Sequence, residues 1–227
     1  MFYPHVSPIF ENRYDAGRQL ASRLSDYKDR AVLVLAIPNG GVPLASEIAT
    51  ALGAELDVVV VRKLPLPLRP ESGFGALADD GSIILNDDLV RSEGVTQDQV
   101  NEQVAVVTAQ VRQRSLLYRK DRQLPLVRRK VAIIVDDGLA SGYTMLAAVA
   151  SVQRRRPTEI IVAVPAASSV ALEKVKASAK VLSLAEGSGS RFTVADYYRH
   201  WHDVTDSDVI KALDQHRSLP GFGRPSR

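Results

Sequence analysis

VAIIVDDGLASGYTM, residues 131–145, decides how this chain is read. Five apolar residues, mostly β-branched, run without a break into two adjacent carboxylates, Asp136 and Asp137. Gly138, Leu139, Ala140, Ser141 and Gly142 follow as a loop of small residues, and a helix-forming segment opens near Tyr143 and Thr144. A continuous apolar run of this length is a strand buried on both faces, as in parallel sheets. The order strand, small-residue loop, helix then makes an anion pocket. Amides free at a helix N-terminus point outward, the helix dipole favours negative charge, and small residues let the backbone approach a ligand. Ser141 and Thr144 add hydroxyl donors. The two acids cannot also bind that anion, so their partners are hydroxyl donors, a metal ion, or positive charge developing on a reacting group.

Working outward, AVLVLAIP (31–38) is a second buried strand that stops at Asn39, Gly40 and Gly41. Residues 43–52 have helix composition and end at Gly53, a C-cap, before a β-branched strand at 56–61. Residues 64–85 are rich in proline and glycine and are expected to form a mobile loop, with SIILNDDLV (82–90) able to add a short hairpin strand. A long helix is predicted over 96–118, its stripe being Val100, Val104, Val107, Val111 and Leu117. Apolar runs at 160–165 and 181–185 flank a helix at 169–177, and another helix is expected at 15–26. Strands alternating with helices mean an α/β fold with a doubly wound, mostly parallel sheet. In such sheets ligands lie beyond the carboxyl ends of the strands, where the loops at 38–41, 62–64 and 136–144 fall.

The 227 residues suit a single domain, with its core at about 31–185. Apolar residues make up 45% and charged residues 24%, a globular profile. Cysteine is absent, which excludes disulfides, thiolate metal sites and a cysteine nucleophile. No apolar run approaches the roughly 20 residues of a membrane span, and the first residues lack a secretory pattern, so a cytoplasmic protein is expected. The net charge is +3, with basic residues gathered at 112–130 and at Arg154, Arg155 and Arg156. Such stretches suit an anionic ligand or RNA, although solvated helix faces explain them more simply.

VDDGLASGYTM resembles the 5-phosphoribosyl-1-pyrophosphate signature of the type I phosphoribosyltransferases. That resemblance implies their fold, with a long helical insertion and a small hood drawn from the N-terminal segment, the 64–120 insertion or the C-terminal tail. It implies that Asp136 and Asp137 bind the ribose hydroxyls and that Gly138, Leu139, Ala140, Ser141, Gly142, Tyr143 and Thr144 cradle the 5-phosphate. Pro38, Asn39, Gly40 and Gly41 correspond to the family's pyrophosphate loop, where Asn and Gly would permit positive φ. Many members carry a basic residue there, so with Asn39 the missing charge is expected from Arg62 and Lys63, at the end of the second strand. The loop that follows resembles the segment that closes over substrate in this family. Magnesium is implied as cofactor, held mainly by the diphosphate and also by Asp136 and Asp137.

Oxopurine enzymes of the family carry an aspartate where this chain has Ala140, which disfavours hypoxanthine and guanine as acceptors. The pattern looks nearer to adenine phosphoribosyltransferase and to unassigned bacterial members. In the tail, Phe192, Tyr197, Tyr198, His200, Trp201 and His202 could stack on a flat base or simply pack the tail onto the domain. His200 and His202 are expected to face opposite ways. The expected activity is phosphoribosyl transfer to a nitrogenous base with release of pyrophosphate. The alternative is a non-catalytic sensor of the same ligand that touches RNA. A homodimer is expected by analogy, without membrane or nucleic-acid partners for the enzyme.

Overall fold

The structure, a computed structural model, describes residues 8–120, 122–187 and 192–219. Residues 1–7 and 220–227, part of the terminal segments expected to build a hood, lie outside the described residues, as does 121 in the basic stretch. Five parallel strands form the main sheet: β1 (Val32–Ala36), β2 (Glu55–Val58), β6 (Val131–Val135), β7 (Glu159–Ser168) and β8 (Lys180–Gly187), in the order β2-β1-β6-β7-β8. The chain steps from β1 outward to β2, then returns to lay β6 on the other side of β1. The strand order therefore reverses between β1 and β6, the point beyond whose carboxyl ends such sheets bind their ligands.

Both faces are covered, which is why β1 and β6 are apolar at every position. Val32, Val34 and Ala36 meet α1 (Arg13–Arg23), α2 (Gly41–Leu52) and α7 (Asp206–Arg217) through Leu20, Leu44, Ile48 and Leu213. Leu33 and Leu35 turn the other way, toward Met145, Val149, Leu172 and Val175 of α5 (Tyr143–Arg154) and α6 (Ser169–Lys176). The alternation follows from the two-residue period of a strand. Among the described residues no helix is long and apolar enough to cross a membrane.

Two elements differ from expectation. The run at 56–61 is two strands: β2 ends at Val58, and β3 (Val61–Leu66) belongs to a separate antiparallel sheet with β4 (Arg69–Ala78) and β5 (Ile83–Leu85). Val59 and Val60 are buried, so no polar or breaker residue marks the switch. The proline- and glycine-rich stretch is this hairpin rather than a loop. Pro65 sits at a register irregularity, which spares the ladder a missing donor. A Cβ on Gly75 would lie 2.5 Å from the Ile84 carbonyl oxygen, so glycine permits the β4–β5 approach. SIILNDDLV divides into β5 and a short helix α3 (Asp87–Ser92), capped by the Asn86 side chain.

The long helix is α4 (Gln97–Arg119), opened by a capping box between Thr96 and Gln99. Its apolar stripe continues from Val111 to Tyr118, two helical turns on, while Leu117 is 43% exposed. At its end Arg119 is buried and donates to Asp79 Oδ2 at 2.7 Å and to the Val58 carbonyl at 2.8 Å. Its Nε lies 3.7 Å from Asp57 Oδ2, and Arg217 Nη2 is 3.7 Å from the other Asp57 oxygen. Burial raises the Asp57 pKa, and Arg119 is the first influence opposing that rise. The cluster fastens α4 and the hairpin to β2. Removing one partner of a buried ion pair strands the other charge, so Arg119→Leu is expected to cost about 3–5 kcal/mol in urea unfolding. A loss below about 1 kcal/mol, the scale of an exposed pair, would contradict that role.

Candidate active site

β1 and β6 end in register, Ala36 beside Val135, and the Ile37 amide donates to the Val135 carbonyl at 2.8 Å. The loops 38–41 and 136–144 therefore emerge as neighbours. Gly40 has φ −62° and ψ −32°, so the positive φ expected near Asn39 and Gly40 is not used. The glycines serve close approach instead. A Cβ on Gly40 would lie 1.9 Å from Asp137 Oδ2, and one on Gly41 2.5 Å from the Val135 oxygen. The Pro38–Asn39 peptide is cis.

The acid pair is held from two directions. Asp136 Oδ1 accepts the Asp137 amide at 2.9 Å. Asp137 Oδ2 accepts Arg13 Nε at 2.9 Å and lies 2.8 Å from Arg13 Nη2. Each carboxyl group thus has one oxygen engaged, while Asp136 Oδ2 and Asp137 Oδ1 accept no hydrogen bond from any described residue outside the pair. The Asp137 side chain is 18% exposed, so a ligand can reach the pair. Burial, then the like charge of Asp137, push the Asp136 pKa well above the ordinary value. Burial also raises that of Asp137, with Arg13 as the leading opposing influence.

The signature loop is anchored at its sides and open in its middle. The Leu139 amide donates to the Ala166 carbonyl at 2.9 Å, and the Ser168 hydroxyl donates to the Ala140 carbonyl at 2.6 Å. Ala140 and Ser141 are exposed. Gly142 takes φ +87°, a left-handed conformation that favours glycine, and α5 starts there without a side-chain cap. The amides of Tyr143, Thr144 and Met145 donate to no other described residue. They are free for an anion. A Cβ on Gly138 would lie 2.4 Å from Val194 Cγ1, so the tail presses directly on this loop.

Arg62 and Lys63 part company. Adjacent residues of a strand face opposite ways. Lys63 is exposed and donates through Nζ to the Glu71 carbonyl. Arg62 is half-buried, and its pKa is lowered first by burial and next by Arg114. Asn39 donates to the Val204 carbonyl at 2.8 Å and to Asp206 Oδ1 at 3.0 Å. Its own Oδ1 accepts Tyr118 Oη at 3.0 Å and Arg114 Nη1 at 3.4 Å. The loop after β1 is thereby tied to α4 and to the first turn of α7.

Arg13, Arg114, Tyr118 and Asp206 were not singled out from sequence. Tyr118 falls on the helical stripe extended by one heptad. Arg13 also left a signal: a cation in the first turn of a helix opposes the dipole and calls for a partner elsewhere. Trp201 is 37% exposed, with its ring 3.6 Å below the Arg13 guanidinium carbon, while Tyr197 and Tyr198 are buried. The tail rings thus pack the tail and seat Arg13. The His200 and His202 rings are parallel within 4° at 6.5 Å, on the same side, because residues two apart in extended chain share a face. A cavity of about 320 Å³ is bordered by Arg13, Pro43, His202 and Lys211, and no residue of 136–144 lines it.

The family profile described as phosphoribosyl transferase domain matches residues 5–197, and the chain belongs to the type I phosphoribosyltransferase family. Two Mycobacterium tuberculosis proteins, of strains CDC 1551 and H37Rv, are provisionally named phosphoribosyl transferases. Each is 37% identical over 220 residues, 95% of this chain and 49% of theirs. The chain thus spans about half the length of these relatives. The crystal structure of TT1426 from Thermus thermophilus is similar at 36% identity and TM-score 0.75, over 91% of this chain and 98% of that one. The AQ2163 protein of Aquifex aeolicus, at 10% identity and TM-score 0.51 over 78% and 75%, shares the fold alone.

The raised pKa of Asp136 carries a stability consequence. Its folded value lies above its unfolded value of 3.8, so the ionised form is disfavoured by folding, and stability falls as pH rises between the two. Asp136→Asn is therefore expected to raise the thermal unfolding midpoint at pH 7. The gain is expected to vanish below pH ~4, where the wild-type carboxyl is protonated in both states. Equal midpoints for the two proteins at neutral pH would contradict it.

Proposed function

We propose that this chain transfers the phosphoribosyl group of 5-phosphoribosyl-1-pyrophosphate to a nitrogenous base, releasing pyrophosphate, in the cytoplasm. One observation carries the reading. Two neighbouring carboxyl groups each keep one oxygen unengaged, beside three free amides at the start of α5. Two such oxygens match the vicinal hydroxyls of a ribose, and the amides match a phosphate attached at its 5-position. Family membership supports the class of reaction.

The chemistry asked of the protein is largely electrostatic. As the bond from C1 to the diphosphate breaks, positive charge grows on the sugar and negative charge on the leaving group. Asp136 and Asp137 hold the ribose by its hydroxyls and place negative charge on the sugar side. Arg62, with Arg114 reaching the loop at Asn39, faces the leaving diphosphate, whereas Lys63 lies on the other face of β3. Magnesium would neutralise the diphosphate. Among the described residues no cluster of three His, Asp or Glu could hold a metal ion. The two unengaged carboxyl oxygens nevertheless fit magnesium that is bound chiefly by phosphates and water. The nitrogen of the base attacks C1 as the diphosphate departs, and its proton passes to solvent or to the leaving group.

Titration calorimetry with 5-phosphoribosyl-1-pyrophosphate and magnesium is expected to show binding. A panel of purines and pyrimidines is then expected to yield pyrophosphate with at least one. Asp137→Asn is expected to lower kcat/KM by roughly 10² or more, the scale of one lost electrostatic contact. Binding without turnover on any base would favour a sensor over an enzyme, and full activity in the variant would discredit the role of Asp137.

A further inference from the structure

Arg13 lies on the first turn of α1, far in sequence from the signature loop, yet its guanidinium is among the best-anchored groups in the molecule. Its side chain is 9% exposed. Nε and Nη2 reach Asp137 Oδ2, and Nη1 donates to the His202 carbonyl at 2.6 Å. The Trp201 ring lies 3.6 Å from its central carbon, and the Tyr198 ring 5.9 Å away. Tyr198 Oη in turn donates to the Asp137 carbonyl at 2.7 Å. The tail is itself fixed to the N-terminal segment, since the Arg199 amide donates to Phe10 and the His200 amide to Glu11.

Every donor of Arg13 that meets the acid pair goes to one oxygen. Asp137 Oδ1 is left over, as is Asp136 Oδ2. A planar guanidinium that puts two donors on one carboxyl oxygen, while itself stacked on an indole and bonded to a backbone carbonyl, pins that oxygen in place from a rigid seat that a flexible lysine stem would lack. Gly40 packs against the same carboxyl group, so closely that even a methyl group would collide with Asp137 Oδ2.

Resting on the ribose reading above, we infer that Arg13 is a positioning residue of the sugar site: it acts through Asp137, with Trp201 and the His202 carbonyl as its seat, and touches no substrate. The tail residues around Trp201 thus form the back wall of the ribose site rather than a stacking surface for the base. The consequence is a split between ligands. A sugar ligand needs the aimed carboxylate, whereas inorganic pyrophosphate bound at the loop after β1 does not.

The test is calorimetry of the full chain with 5-phosphoribosyl-1-pyrophosphate and, separately, with inorganic pyrophosphate, both with magnesium. Arg13→Met is expected to weaken the sugar ligand at least about tenfold, the scale of a charge-assisted contact, and to leave pyrophosphate within about twofold. Trp201→Ala is expected to give the same split at smaller size. Arg13→Lys, which keeps the charge without the fork, is expected to fall between wild type and Arg13→Met, and it carries the test should the methionine variant not fold. Unchanged or tighter sugar binding in a folded Arg13 variant would overturn the inference, the latter by showing Arg13 as a competitor for Asp137. Equal losses for both ligands would overturn it too, since they mark a general collapse of the cleft. A wild-type chain that binds neither ligand would instead bring down the ribose reading, and the inference with it.

Discussion

Gly40 can lie against the carboxylate of Asp137 only because it has no Cβ, and much of the cleft follows from that contact. The turn after β1 and the turn after β6 are pressed together where the two strands end in register, so the chain reverses around a shared point. Gly40 packs against Asp137 Oδ2 from the loop after β1, and Arg13 of α1 pairs with the same oxygen. Its neighbour Asp136 is caught by the Asp137 amide. Two acids are thereby held as neighbours with one oxygen apiece left unpaired by other residues, an arrangement that a free loop would not keep against their mutual repulsion.

That arrangement costs stability and is supported from outside the sheet. The Asp136 carboxyl is disfavoured as an anion by burial and by the charge next to it. The compensation comes from residues far away in sequence, namely Arg13 on α1, the Tyr198 hydroxyl on the Asp137 carbonyl, and Val194 pressed on Gly138. The termini of the described chain therefore do structural work at the site. On the other side of the cleft, Asn39 spends its amide on Val204 and Asp206 and its oxygen on Tyr118 and Arg114. Where many family members carry a basic residue, this loop has Asn39, whose Oδ1 holds one cation, Arg114 of α4.

What could be read in advance is what local pattern controls. β1 and β6 are apolar at every position because both faces are covered, and Gly53 ends α2 in a left-handed conformation at φ +61°, as a glycine C-cap should. The acid doublet and small-residue loop were legible for the same reason: the chemistry is contiguous in the chain. The hairpin of β3, β4 and β5 was hidden because proline and glycine signal a loop unless pairing partners are known, and Pro65 and Gly75 are tolerated only through a register shift and a close strand. The break between β2 and β3 was hidden by Val59 and Val60, which are apolar and buried like the strand residues on either side of them. Arg13 and Asp206 act across the whole length of the chain, and no spacing in the sequence announces such pairs.

The central claim is that a sugar diphosphate docks where the acid doublet meets the open amides of α5. A crystal structure with 5-phosphoribosyl-1-pyrophosphate and magnesium tests it most directly. The account predicts the ribose hydroxyls on Asp136 Oδ2 and Asp137 Oδ1, the 5-phosphate on the amides of Tyr143, Thr144 and Met145, and Arg13 still on Asp137 Oδ2. Density for the ligand elsewhere, or a cleft left empty at saturating concentration, would contradict it.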